Sequence, residues 1–316
     1  MPRVAPLLCL ALFLFVQSPA ARQTSPVAPR DLVGTWMLIG LDQGTSGTQP
    51  TRVANPRGLL ILDGAGHAFE FVTSSTAQRA PLGAQAPLAD ASATFAGYEG
   101  FWGGYRFDTA QKKMVVRPQS GISTLMTSGR EFSRSIEYAG DRLTVASIDE
   151  PHAAGGTRWT WERVPPVDNL SPLYRRVAGF WQHVVEKRVN LTTKAVLSET
   201  HRSPSVIVYT PSGFVGVHFP PLNRKPFASE TPTPEEARAA LQGYIGYYGA
   251  LGVYSGEVFH NILAGLSPVQ GSVLRRFADI NGDELTVRLQ NRNPQGQDTA
   301  TIVVLKRLSG IDEMMR

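Results

Sequence analysis

Along most of this chain apolar and polar residues alternate in short runs bounded by Gly, Pro, Asn and Asp. Gly34 to Leu41, Gly58 to Leu62, His67 to Val72, Gly103 to Phe107, Met114 to Arg117, Phe132 to Tyr138, Leu143 to Ile148 and Thr157 to Val164 are such runs. A period of two with these boundaries predicts antiparallel strands. Asp63-Gly64, Gly140-Asp141, Ser212-Gly213, Ser255-Gly256 and Asn281-Gly282 supply hairpin turns. One helix start is strong: Thr233 stands as N-cap, Pro234 at the first helical position and Glu236 three residues after the cap, ahead of Ala237 to Leu241, with Gly243 as a stop. Pro87 to Ala96, Ala-rich with Asp90 near its start, is a weaker counterpart.

The pattern occurs twice. Gly34-Thr35-Trp36 returns as Gly179-Phe180-Trp181, the segment Gly97 to Gly103 as Gly243 to Gly249, and Gly140-Asp141-Arg142-Leu143-Thr144-Val145 as Gly282-Asp283-Glu284-Leu285-Thr286-Val287. The offsets are 179 − 34 = 145, 243 − 97 = 146 and 282 − 140 = 142. A period of that length exceeds a solenoid unit and matches a whole domain. About eight antiparallel strands per copy, with a last strand returning near the first, predict a small closed barrel, wide enough for side chains or one small ligand. A sandwich of similar strands is the competing architecture. The expected organisation is a leader over 1–21, a linker over 22–30, a first barrel over 31–164, a linker over 165–174 and a second barrel over 175–310.

Composition adds an address. Met1-Pro2-Arg3, the apolar run Val4 to Val16 and the small residues up to Ala21 have the order of a cleavable signal peptide, and the run is too short for a membrane span. The expectation is export, to the periplasm or outside the cell, with no transmembrane anchor. The only cysteine, Cys9, lies in that leader, so the mature barrels carry no disulfide and rely on their cores. The net charge of +5 falls to +4 without Arg3, and no basic run or basic-aromatic motif marks a nucleic-acid partner.

The Gly-x-Trp of the first strand, the small-residue turn before His67 and Phe214, the Gly-Tyr-x-Gly-aromatic-aromatic-Gly segment and the Gly-Asp-x-Leu-Thr turn together resemble the bacterial lipocalin-like domain family. The second copy, from Gly179 to Leu308, is the closer match; in the first, Arg117 stands where His260 does. The resemblance implies an all-β fold of two tandem lipocalin-like antiparallel barrels with a short helix in the second. It also implies that Arg163 and Arg307, ending the last strand of each copy, lie over Trp36 and Trp181 as structural cation-aromatic contacts.

Candidate chemistry centres on two arginines. Alternation puts Arg134 on one face with Phe132, Ile136 and Tyr138, and Arg276 with Leu274, Ala278 and Ile280. A guanidinium inside a barrel needs an anion or a dense set of acceptors. A ligand carboxylate or phosphate would serve, as would an internal acid. Fatty-acid-binding barrels pair an interior Arg with a Tyr, which makes Tyr138 a candidate beside Arg134. His260 shares a face with Val258 and Ile262 and is either a ligand contact or a satisfied core residue. Trp102, Tyr105, Tyr247 and Tyr248 are barrel wall or a stacking surface. No metal-ligand spacing, nucleophile motif or phosphate loop is present, and no cofactor is expected.

Three functions fit these features. The leading one is an exported protein holding a small amphipathic anion, a lipid-like ligand, in the barrel interior. The second is a cofactor-free hydratase, isomerase or cyclase acting on an apolar substrate, with His260, Arg276 and Tyr248 as candidate catalytic groups. The third is an interaction module whose lumens are plugged by Phe69, Phe71, Val215, Val217 and the aromatic segments.

Overall fold

The structure is a computed structural model that describes residues 30–44, 49–74, 87–122, 130–149, 156–201, 204–221, 225, 227–229, 231–267, 270–293 and 296–310. The leader 1–21 and all of the linker 22–30 but Arg30 lie outside these.

The first repeat builds β1 (Gly34–Gln43), β2 (Thr51–Arg52), β3 (Arg57–Leu62), β4 (His67–Thr73), α1 (Leu88–Ala96), β5 (Tyr98–Asp108), β6 (Lys113–Gly121), β7 (Phe132–Ala139), β8 (Arg142–Ser147) and β9 (Arg158–Val164). After α2 (Pro172–Val177) the second builds β10 (Gly179–Asn190), β11 (Val196–Thr200), β12 (Val206–Tyr209), β13 (Phe214–Phe219), α3 (Pro234–Leu241), β14 (Ile245–Tyr254), β15 (Glu257–Ser267), β16 (Val273–Asn281), β17 (Glu284–Arg292) and β18 (Asp298–Arg307). Each sheet is antiparallel throughout. β1 and β3 to β9 close into an eight-stranded barrel through the β1–β9 pairing, with β2 as a flap on β1. β10 and β12 to β18 close in the same order, with β11 as the flap. Both first strands bulge at one equivalent place, leaving Ile39 and Val184 exposed. The sandwich alternative is thereby replaced by two barrels.

Local signals explain the helices. Thr233 accepts from the Glu236 amide while the Glu236 carboxylate accepts from the Thr233 amide, a complete capping box. α1 has no side-chain cap, in keeping with its weaker start. α2 straddles the expected boundary between linker and second barrel, because Ser171 caps it and Pro172 sets its first turn.

The ends carrying Trp36 and Trp181 are sealed. Arg163 and Arg307 lie 4.1 Å above the Trp36 and Trp181 rings. Their guanidiniums also donate to carbonyls of the preceding segments, at Val33 and Ala178 among others. Glycine is required beside them: a Cβ on Gly34 would stand 2.8 Å from Arg163 Nη1, and one on Gly179 2.5 Å from Arg307 Nη1. Gly34 and Gly179 also hold φ at 151° and 131°, a region side chains rarely adopt, and that backbone together with the contact explains the Gly of Gly-x-Trp.

Three apolar clusters result. One fills the first barrel around Trp36, Leu60, Phe101 and Trp161, and another the second around Trp181, Val217, Val258 and Leu305. The third joins the outer faces of the two barrels through Phe69, Phe71, Trp102, Phe180, Tyr244 and Tyr248. The barrels meet so closely at Gly216 that a Cβ there would stand 2.5 Å from the Phe69 ring. α1 packs on α3 beside this seam, and Phe95 meets Phe227 edge to face at 5.4 Å.

A histidine pins the seam. His218 Nε2 donates to the Glu70 carbonyl at 2.8 Å, and Nδ1 accepts from the Tyr244 hydroxyl at 2.6 Å. This requires a neutral ring, and burial lowers its pKa from 6.5 to about 4, against the opposing pull of the Glu70 carbonyl. The unfolded chain therefore binds a proton that the native state refuses between those values. Stability is expected to fall by about 3 kcal/mol as pH drops through this window, with His260 acting in the same direction. Urea unfolding from pH 7 to 4 checks it: His218→Gln should flatten part of the slope, and an unchanged slope would refute the assignment.

Candidate functional site

Along the seam, both faces of β4 and β13 and of the first halves of β5 and β14 are buried, one against the lumen and one against the other barrel. On β4, Ala68, Glu70 and Val72 look inward while Phe69 and Phe71 form the seam. Cross-strand register gives the equivalences between barrels. Glu70 pairs with Phe101 and Val72 with Glu99, as Val217 pairs with Tyr247 and Phe219 with Ile245. Met114 pairs with Arg134, and Val116 with Phe132, as Val258 pairs with Arg276 and His260 with Leu274.

In the first barrel the inward arginine is closed on an internal acid. Arg134 and Glu70 are both 0% exposed, and Nη1 and Nη2 donate to Oε2 and Oε1 at 2.5 and 3.0 Å. Glu99 approaches the same guanidinium at 3.5 Å. Trp159, Phe132 and Phe101 face its carbon at 4.4, 5.1 and 5.4 Å. The guanidinium is paired in its plane by Glu70, with Glu99 beside it, and is covered by aromatic rings.

The second barrel keeps the arginine and lacks the acids. Val217 stands for Glu70, Ile245 for Glu99 and Tyr247 for Phe101. Arg276, half-buried, donates to the Tyr247 hydroxyl at 3.2 Å and to the Leu274 carbonyl at 3.4 Å, and pairs with no carboxylate among the described residues. An arginine has only donors, so Tyr247 Oη accepts from it and gives its own proton to His260 Nδ1, 2.7 Å away. Burial and the Arg276 charge hold the His260 pKa well below its ordinary value, so the ring is neutral with its proton on Nε2. That Nε2 is buried without a hydrogen-bond partner. So is the hydroxyl of Tyr209, whose ring lies 5.5 Å from His260. Burial raises the pKa of Tyr209 and Tyr247, keeping both phenols protonated.

Arg276, His260 and Tyr247 thus come together, joined by Tyr209, which sequence reasoning missed. Arg134 lies inside its barrel but is held by Glu70, also missed. Tyr138, expected beside Arg134, is 42% exposed near the β7–β8 hairpin. Trp102 and Tyr248 lie in the seam instead of a lumen. Tyr248 is raised to about 12 by burial, against the field of Arg57, and stands apart from His260 and Arg276. Tyr105 is in the first lumen, where its hydroxyl donates to the Asp63 carbonyl at 2.7 Å. Phe69 and Phe71, expected as plugs, line the seam, whereas Val215 and Val217 do face the lumen. The position equivalent to His260 is Val116, not Arg117. No cluster of three metal-ligating side chains and no helix long and apolar enough to cross a membrane occurs among the described residues.

Fold and sealed ends define two antiparallel barrels in tandem, each closed on itself and one carrying an unneutralised interior cation. Residues 180–308 match the lipocalin-like domain family. The second barrel is a lipocalin-like domain, and because the first repeats it strand for strand, the chain is a tandem duplication of that domain. Among solved structures it is similar to aphrodisin, a sex pheromone from female hamster, at 14% identity over 42% of this chain and 76% of that one. The TM-score of 0.21 is too low for that likeness to bear on function. No curated protein matches the sequence.

Proposed function

We propose that this is an exported binding protein that holds a small amphipathic anion, a lipid-like molecule, inside a barrel with its head group on Arg276. The supporting observation is the half-buried Arg276 facing an apolar lumen with a hydroxyl and a carbonyl as partners and no acid among the described residues. Burying an uncompensated charge is costly, and a ligand anion removes that cost. Leu274 and Ala278, on the same inward face, remain partly exposed, whereas their counterparts Phe132 and Ile136 in the first barrel are buried. That difference supports the second lumen as the one that takes a guest, its apolar wall suited to an acyl chain.

Arg276→Met tests this. Methionine keeps the apolar stem and removes the fork, so affinity for dodecanoate, measured by isothermal titration, is expected to fall ten- to hundredfold, the equivalent of about 1.5–3 kcal/mol for hydrogen bonds to a charge. Unchanged affinity in a folded variant would rule out Arg276 as the anchor. A chain that binds no amphipathic anion would rule out the function itself.

A further inference from the structure

The two lumens are opposites in polarity at matched positions. The first carries arginine and acid: Arg134 with Glu70 and Glu99. At the same register positions the second carries arginine with Val217 and Ile245, and Tyr247 in place of Phe101. Two further exchanges add donors. Tyr209, paired with Gly179 as Leu62 is with Gly34, replaces an apolar side chain with a hydroxyl. His260 replaces Val116 with an imidazole. The retained Arg276 has N–H groups only, Tyr247 accepts from it and gives its proton to His260, and the Tyr209 hydroxyl and His260 Nε2 are buried with no hydrogen-bond partner. Trp159 and Trp161 leave unpartnered indole N–H groups in the first lumen as well, so what sets the second apart among the described residues is an arginine that meets no carboxylate, and a guest that brings one supplies it.

We infer that the second barrel takes one monocarboxylate amphiphile per chain, its carboxylate standing against Arg276 as the Glu70 carboxylate stands against Arg134, and that the first barrel takes none because Glu70 already occupies its head-group position. The assignment rests on the reading of Arg276 as anchor and adds the head group, the stoichiometry and the reason the two copies differ. The first barrel is in this sense already liganded by its own chain. Two oxygens on two nitrogens of one guanidinium, at 2.5 and 3.0 Å, is the geometry a planar carboxylate offers a planar fork. Val217 in place of Glu70 removes the internal carboxylate from the position that faces the arginine in the first barrel.

Titration of the full mature chain with dodecanoate, 1-dodecanol and dodecyl phosphate tests head group and number together. The expected result is one equivalent of dodecanoate, bound at least tenfold more tightly than dodecanol. Two equivalents, equal affinity for the alcohol, or tighter binding of the phosphate would overturn this inference while leaving the binding function standing; failure of all three to bind would remove the function. Val217→Glu builds the internal acid into the second barrel and is expected to abolish dodecanoate binding with the fold retained by circular dichroism. Retained binding in a folded Val217→Glu chain counts against the inference. If that variant does not fold, the head-group series and stoichiometry of the unmodified chain decide the matter.

Discussion

Glu70→Gln should cost the protein about 3–5 kcal/mol of folding stability, because it leaves the Arg134 guanidinium fully buried with its in-plane partner neutral. Glu99, 3.5 Å away and partly exposed, is the remaining acid and holds the loss toward the lower end of that range. The aromatic rings over Arg134 do not replace the carboxylate, since each contributes only about 0.5–2 kcal/mol and they are present in both chains. Removing both charges gives the opposite expectation: Glu70→Val with Arg134→Met puts apolar groups of similar size in a dry lumen, and a buried ion pair so replaced is often neutral or stabilising. Urea unfolding of the two single variants and the double variant closes the cycle. A single-variant loss below about 1 kcal/mol would mean that the pair is not enclosed as described.

The sequence announced these arginines, because a charged residue among Phe132 and Ile136, or among Leu274, Ala278 and Ile280, breaks an otherwise clean alternation. It hid their surroundings. Phe69-Glu70-Phe71 reads as two core aromatics flanking a solvent-facing acid, yet the assignment of faces is inverted: the aromatics cover the other barrel and the acid faces the lumen. Alternation distinguishes faces only when one is wet, and β4 has none. The same seam draws Trp102 and Tyr248 away from the lumens, and it masks Tyr209, since all of Val206–Tyr209 is buried. The sequence resemblance sets Arg117 against His260, whereas the strand pairing sets Val116 there. Cross-strand register, which passes through a bulge between Trp102 and Gly103, shifts the match by one residue and so to the opposite face. Turn chemistry, the capping box at Thr233 and the Arg–Trp seals were legible because each depends on neighbours close in sequence or on the repeat itself.

Trp181→Ala is expected to lower stability by about 3–5 kcal/mol and to carry both barrels down together. Trp181 is fully buried, donates from Nε1 to the Val177 carbonyl at 2.7 Å and supports Arg307 from below, so its removal leaves a large cavity and an unsupported cation. The chain has five tryptophans, and the other four, Trp36, Trp102, Trp159 and Trp161, belong to the first barrel. Fluorescence of this variant therefore reports the first barrel alone. Were the barrels independent, that signal would keep its original midpoint while circular dichroism split into two steps. The seam argues otherwise: parting the barrels would expose Phe69, Phe71 and Trp102 on one side and Phe180, Tyr244 and Tyr248 on the other, and would strip His218 of the Glu70 carbonyl. At roughly 1.5–3 kcal/mol for each large apolar side chain returned to water, the first barrel gains too much from its neighbour to stand unaffected. Fluorescence and circular dichroism should thus fall in one coincident transition, shifted to lower urea. An unshifted fluorescence midpoint would show that the seam does not couple the two halves.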